Sequence, residues 1–143
     1  MNNKIDWIIH AVMNGVPCGV CGEVENGFIP YTCNCHTHGM EKYDHLDFQM
    51  VLQYDPQEIG RILNTLGLRV QSGESFKDGD LVKGIFEDCD VRLNEFTECN
   101  RTVLRVIIPD ENNRFPEDEG CTAPYKLQML DMSILYNDSI AKQ

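Results

Sequence analysis

A chain of 143 residues is the size of one ordinary domain, and no apolar run in it approaches the roughly 20 residues needed to cross a bilayer. Twelve Lys and Arg against 23 Asp and Glu give a formal charge of −11, which repels phosphate backbones and anionic lipid and so excludes nucleic acid and membranes as expected partners. Such acidity serves solubility, or it attracts a basic protein or a cation.

The opening residues Met1 to Asp6 lack the charged start and long apolar middle of an export signal, so a cytoplasmic location is expected. In that setting seven cysteines, an odd number, point to reduced thiols, metal ligands or a reactive cysteine rather than to a disulfide framework.

Ile5, Ile8, Ile9 and Val12 recur at helical spacing across Lys4 to Met13, and Gly15 is placed to stop the turn. This predicts a short amphipathic helix, with His10 as a boundary histidine rather than a ligand. Val16 to Val24 and Phe28 to Cys35 predict the two strands of a hairpin. Its turn is Glu25-Asn26-Gly27, because Asn and Gly tolerate positive φ.

Leu46, Phe48, Met50 and Leu52 alternate with Asp47, Gln49 and Gln53, the period of a strand with one buried face, which Val51 blurs. Asp55-Pro56-Gln57-Glu58 then carries the start signals of a helix: Asp as N-cap, Pro at the first helical position, Glu three residues after the cap. Ile59, Ile62, Leu63 and Leu66 form its buried stripe, and it should end near Ser72-Gly73.

Beyond a turn at Lys77 to Asp80, Leu81 to Phe86 and Cys89 to Phe96 read as short strands. Arg101 to Ile108 is rich in Val, Ile and Leu and reads as a central strand. Pro109 to Pro116 is turn chemistry. Its Asp110/Asn112 spacing resembles the start of a calcium loop, but Arg114 stands at the next ligand position and no glycine follows, so a turn with Asx contacts is expected. Ala123 to Leu135 is ambiguous between a short helix and an edge strand. The expected architecture is a single α+β domain, a mostly antiparallel sheet of five or six strands with two packed helices.

Four cysteines and three histidines crowd into Pro17 to His45. Cys18-Gly19-Val20-Cys21-Gly22 has the form of a zinc knuckle, in which glycines let the chain turn tightly and offer N–H groups to the sulfurs. Cys33, Cys35, His36 and His38 would supply the opposite half of a Zn²⁺ site. One tetrahedral set is Cys18, Cys21, Cys33 or Cys35, and His38. On a regular strand, however, Cys33 and Cys35 share one face and His36 and His38 the other, so convergence requires the strand to end by about Cys35. Two other readings stand beside the metal. Cysteine can fill these places as a small buried hydrophobe, as Cys89, Cys99 and Cys121 suggest. A Cys33 or Cys35 thiolate near His36, His38 or His45 could make a nucleophile and base, oriented by Asp44 or Asp47.

The order of these pieces resembles DUF4262, a bacterial family of unknown function. The matching stretches are Phe28-Ile29-Pro30-Tyr31-Thr32, Ile62-Leu63-Asn64-Thr65-Leu66, Gly73 to Gly79 around Phe76, and Pro109-Asp110 through Arg114-Phe115-Pro116. The match keeps its order over about 16–130. This chain departs from the family pattern at Thr32-Cys33-Asn34-Cys35, near Leu46-Asp47-Phe48, between Phe96 and Val103, and at Glu117. The resemblance implies no activity or cofactor, and the cysteines are this chain's own feature. The leading expectation is a small binding or regulatory domain, with a structural zinc as a candidate. Its rivals are an acidic inhibitor or immunity-type protein that neutralises a basic partner, and a thiol- or zinc-dependent enzyme acting at Cys33 to His45.

Overall fold

The computed structural model describes residues 5–13, 32–98 and 101–130. Strands β1 (Ile8–Met13), β2 (Thr32–His38) and β3 (Asp47–Leu52) come first, with a 3₁₀ turn at Met40–Tyr43 between the last two. Helix α1 (Pro56–Gln71) follows, then β4 (Leu81–Val82), β5 (Val91–Glu98), β6 (Arg101–Ile107) and a second 3₁₀ turn at Tyr125–Leu127. The strands form one six-stranded sheet in the order β1-β2-β3-β6-β5-β4. The expected α+β class holds. No helix among the described residues is long and apolar enough to cross a membrane.

Two expectations are corrected. The sheet is mixed, because its central pair, β3 and β6, runs parallel while the other neighbours are antiparallel. A parallel pair needs a long crossover, and α1 lies within the one that joins these strands. There is also a single α-helix among the described residues, because the predicted helix over Lys4 to Met13 is, from Ile8 to Met13, strand β1. The apolar spacing is helical, but the run is short and rich in β-branched Ile and Val, which suit a strand. Pairing decides the matter: β1 lies antiparallel on β2, with Ile8 opposite His38 and His10 opposite His36, and so covers what would be an open sheet edge.

Helix α1 forms where its signals place it. Asp55 caps it by accepting from the Gln57 N–H at 2.9 Å, and Pro56 opens it. Ile59, Ile62, Leu63, Leu66 and Val70 are buried against Phe48, Met50, Leu52, Leu104 and Val106 of the sheet. Each such side chain contributes about 1.5–3 kcal/mol on burial.

The sheet's other face is buried at its centre as well. Val51, Val103, Arg105 and Ile107 are nearly inaccessible, which is why Val51 blurs the alternation and why β6, Arg105 apart, carries apolar residues on both faces. The Asp110 turn also forms as expected. Its Oδ1 accepts from the N–H groups of Asn112 and Arg114, and its Oδ2 from Thr122 N and Arg114 Nε. That carboxylate serves its own loop. The first hairpin strand, its turn and the start of the second strand lie outside the described residues, as do Cys18, Cys21 and Cys99.

Candidate functional site

Strand parity sorts the residues of β2. Thr32, Cys33, Cys35 and Thr37 are buried, while Asn34, His36 and His38 are not. The pairing with β3 is irregular between Thr32 and Cys35, but the strand continues to His38, so Cys33 and Cys35 face α1 and the two imidazoles project from the opposite face. Within the half expected from Cys33, Cys35, His36 and His38, the sheet separates the thiols from the imidazoles, while Cys18 and Cys21 of the other half lie outside the described residues.

On the core side, the Cys33 thiol donates to Leu52 O at 3.2 Å, and the Cys35 thiol lies 3.7 Å from it. The hydrogen bond with Cys35, then burial, hold the Cys33 thiol far above the ordinary thiol range, so it stays protonated at neutral pH. His45 is engaged elsewhere. One ring nitrogen, Nδ1, meets Leu46 O at 2.8 Å, and the other, Nε2, accepts from Phe76 N–H at 2.9 Å. Its ring lies beside Phe48 and Phe76. His45 pins two loops together.

The far side of β2 gathers three of the chain's four histidines. The ring centre of His36 lies 5.3 Å from that of His10 and 4.7 Å from that of His38, and His10 and His38 are 6.2 Å apart. His10 reaches this cluster because β1 is a strand paired to β2, with His10 opposite His36. Read as a helix, the same residues give no reason to place it there.

A polar chain runs beneath the cluster. Buried Arg105 on β6 donates Nε–H to Gln49 Oε1 at 2.8 Å, and Gln49 Nε2 donates to Asn34 Oδ1 at 3.3 Å. The same Asn34 oxygen lies 3.2 Å from His36 Nδ1. An amide oxygen only accepts, so Nδ1 carries the proton and Nε2 carries the lone pair. Burial, then the charges of His38, Arg101 and His10, lower the His36 pKa to about 4. His38 is lowered too, first by burial and then by Arg101. Both are neutral imidazoles at pH 7, the form that ligates a metal.

Asp47 and Arg101 close the cluster's lower edge. Asp47 Oδ1 accepts from Thr37 Oγ1 at 2.9 Å and from Met40 N–H at 3.0 Å, and its Oδ2 accepts from Arg101 Nη2 at 2.6 Å. With its oxygens tied to these groups, Asp47 shapes the face rather than offering an open carboxylate.

A Zn–N bond of about 2.0–2.1 Å and a tetrahedral angle put the centres of imidazoles around one ion about 5 Å apart. The observed spacings bracket that value. As the side chains stand, no group of three or more His, Cys, Asp or Glu among the described residues is arranged to hold an ion, so ligation here requires the rings to turn. Comparison with known proteins adds no relative: no family model, no curated protein and no solved structure matches the chain.

Proposed function

We propose that this chain is a small binding domain whose imidazole face takes a divalent transition-metal ion such as Zn²⁺, held by His10, His36 and His38. The observation that supports this is the gathering of three histidines from two strands at ring-centre spacings of 4.7–6.2 Å. Asn34 and Gln49 supply the outer hydrogen bonds that orient such ligands. The histidine set replaces the mixed cysteine and histidine set because Cys33 and Cys35 lie in the core. The same placement, with both His45 nitrogens bonded to backbone, favours binding over thiol catalysis.

Isothermal titration of metal-stripped protein with zinc sulfate tests the reading. One ion per chain is expected, with at least about tenfold weaker binding after His36→Ala or His38→Ala. Absence of binding, or unchanged affinity in the doubly substituted chain, would remove the site.

A further inference from the structure

The two parallel strands at the centre of the sheet, β3 and β6, end side by side. Beyond them the chain turns away through Tyr54 on one side and Pro109-Asp110 on the other. Crevices form where connections diverge past the carboxyl ends of parallel strands. Here the crevice is a cavity of about 160 Å³. Tyr54, Phe86 and Tyr125 provide aromatic walls, and Asp88 and Glu111 line it with carboxylates. It shares Phe86, Asp88, Cys89 and Pro109 with a broader hollow of about 560 Å³, where Glu87 and Asp90 add further negative charge beside Lys83.

The chemistry of these walls restricts what can enter. Anions are repelled by the carboxylates. A purely apolar group would desolvate them without offering a partner. An organic cation satisfies both kinds of wall, because aromatic faces attract an ammonium head and carboxylates pair with it.

The fold already uses its aromatic rings this way. Arg61 lies over Phe86 at 5.4 Å, and Arg69, Arg92 and Arg105 lie over Phe76, Phe115 and Phe96. Among the described residues no such cation stands over Tyr54 or Tyr125. Both tyrosines line the cavity, and burial first, then Tyr125, keeps the Tyr54 hydroxyl protonated. Tyr54 therefore lines the cavity as a neutral phenol, next to Tyr125. Asp110 at its edge is consumed by its own loop, which leaves exposed Asp88 as the carboxylate best placed to pair with a ligand.

We propose that this aromatic and acidic cleft binds an alkylammonium group, presented as a lysine side chain on a basic segment of a partner protein. The partner is argued from charge: a chain carrying −11 draws a basic surface toward it and speeds encounter, while the cleft supplies the specific contact. The site is separate from the imidazole face and does not depend on a metal there.

Nitrogen-proton correlation spectra of the full chain, titrated with an acetylated and amidated hexalysine peptide, test this. Shifts are expected at Tyr54, Phe86 to Cys89 and Tyr125. They should be absent with the peptide whose lysines are Nε-acetylated. Affinity should fall about tenfold in Tyr125→Leu and by a smaller factor in Asp88→Asn, whose exposed side chain makes it the safer variant for folding. His36→Ala should change nothing. Equal affinity in wild type, Tyr125→Leu and Asp88→Asn, or equal binding of the acetylated peptide, would overturn the proposal. So would cleft shifts with n-butylammonium alone and none with hexalysine, since the ligand would then be a small amine.

Discussion

The indole of Trp7 occupies the space that a side chain at Gly67 would need. A Cβ at Gly67 would sit 2.5 Å from Trp7 Cζ2 and 2.7 Å from Cε2, while the indole Nε1–H donates to Asn64 Oδ1 at 2.9 Å. A residue ahead of β1 is thereby docked on the third turn of α1.

Alanine at position 67 gains about 1 kcal/mol of helix propensity but forces the ring away. Gly67→Ala is therefore expected to destabilise by about 1–3 kcal/mol net. Gly60, on the same helix with nothing within 4 Å of its would-be Cβ, is the matched control. Gly60→Ala should stabilise by about 0.5–1 kcal/mol. Urea denaturation of both variants checks the pair, and stabilisation by both would show that Trp7 does not rest on Gly67.

Thr37 is a second test of the sheet. It is fully buried, donates to Asp47 and accepts from Phe48 N–H at 3.0 Å. Thr37→Val keeps the shape but leaves that buried N–H unpaired, an expected loss of about 1–3 kcal/mol. Thr37→Ser keeps the hydroxyl and should cost less. If serine proves as damaging as valine in the same unfolding assay, packing rather than the hydrogen bonds holds the strand.

The Asp110 carboxyl is lowered to about 2. Burial opposes this, but the N–H groups of Arg114, Asn112 and Thr122 and the Arg114 side chain outweigh it. A carboxylate depressed on folding stabilises fully above its ordinary value of 3.8, and that contribution disappears as pH falls through about 2. Asp110→Asn should therefore lower the melting temperature at neutral pH. The gap to the wild type should narrow as pH drops from 3.8 toward 2. A gap that stays constant over this range would mean that the loop does not depend on the charge.

The cysteines give a chemical test of strand parity. Cys33 and Cys35 are fully buried and Cys89 is partly exposed. Brief treatment of native protein with a maleimide, followed by peptide mass mapping, should mark Cys89 well ahead of Cys33 and Cys35. Burial raises the Cys89 thiol as well, so its labelling should quicken with rising pH. Early modification of Cys33 would contradict its place beneath α1.

Local chemistry was legible where it is self-contained. The Asp55-Pro56 start of α1, its Ile and Leu stripe and the Asx turn at Asp110 each depend on residues only a few positions apart. Strand β6 was legible for the same reason, as a segment rich in Val, Leu and Ile with apolar residues on both faces. The first element was not, because Ile5, Ile8, Ile9 and Val12 fall at helical spacing, and pairing with β2 overrides that local signal.

By itself, then, the sequence determined the acidic charge, the main helix, the apolar strands and the crowding of cysteine and histidine into one stretch. Tertiary structure decided which of those residues meet. Alternation along β2 from Cys33 to His38 put its cysteines in the core and its histidines on the other face, and antiparallel register brought His10 beside them. The cleft at Tyr54, Phe86 and Tyr125 draws on three distant segments that converge only because β3 and β6 end together. Residue type and spacing are local quantities, whereas a site is a meeting of segments, and that meeting is set by strand order and register.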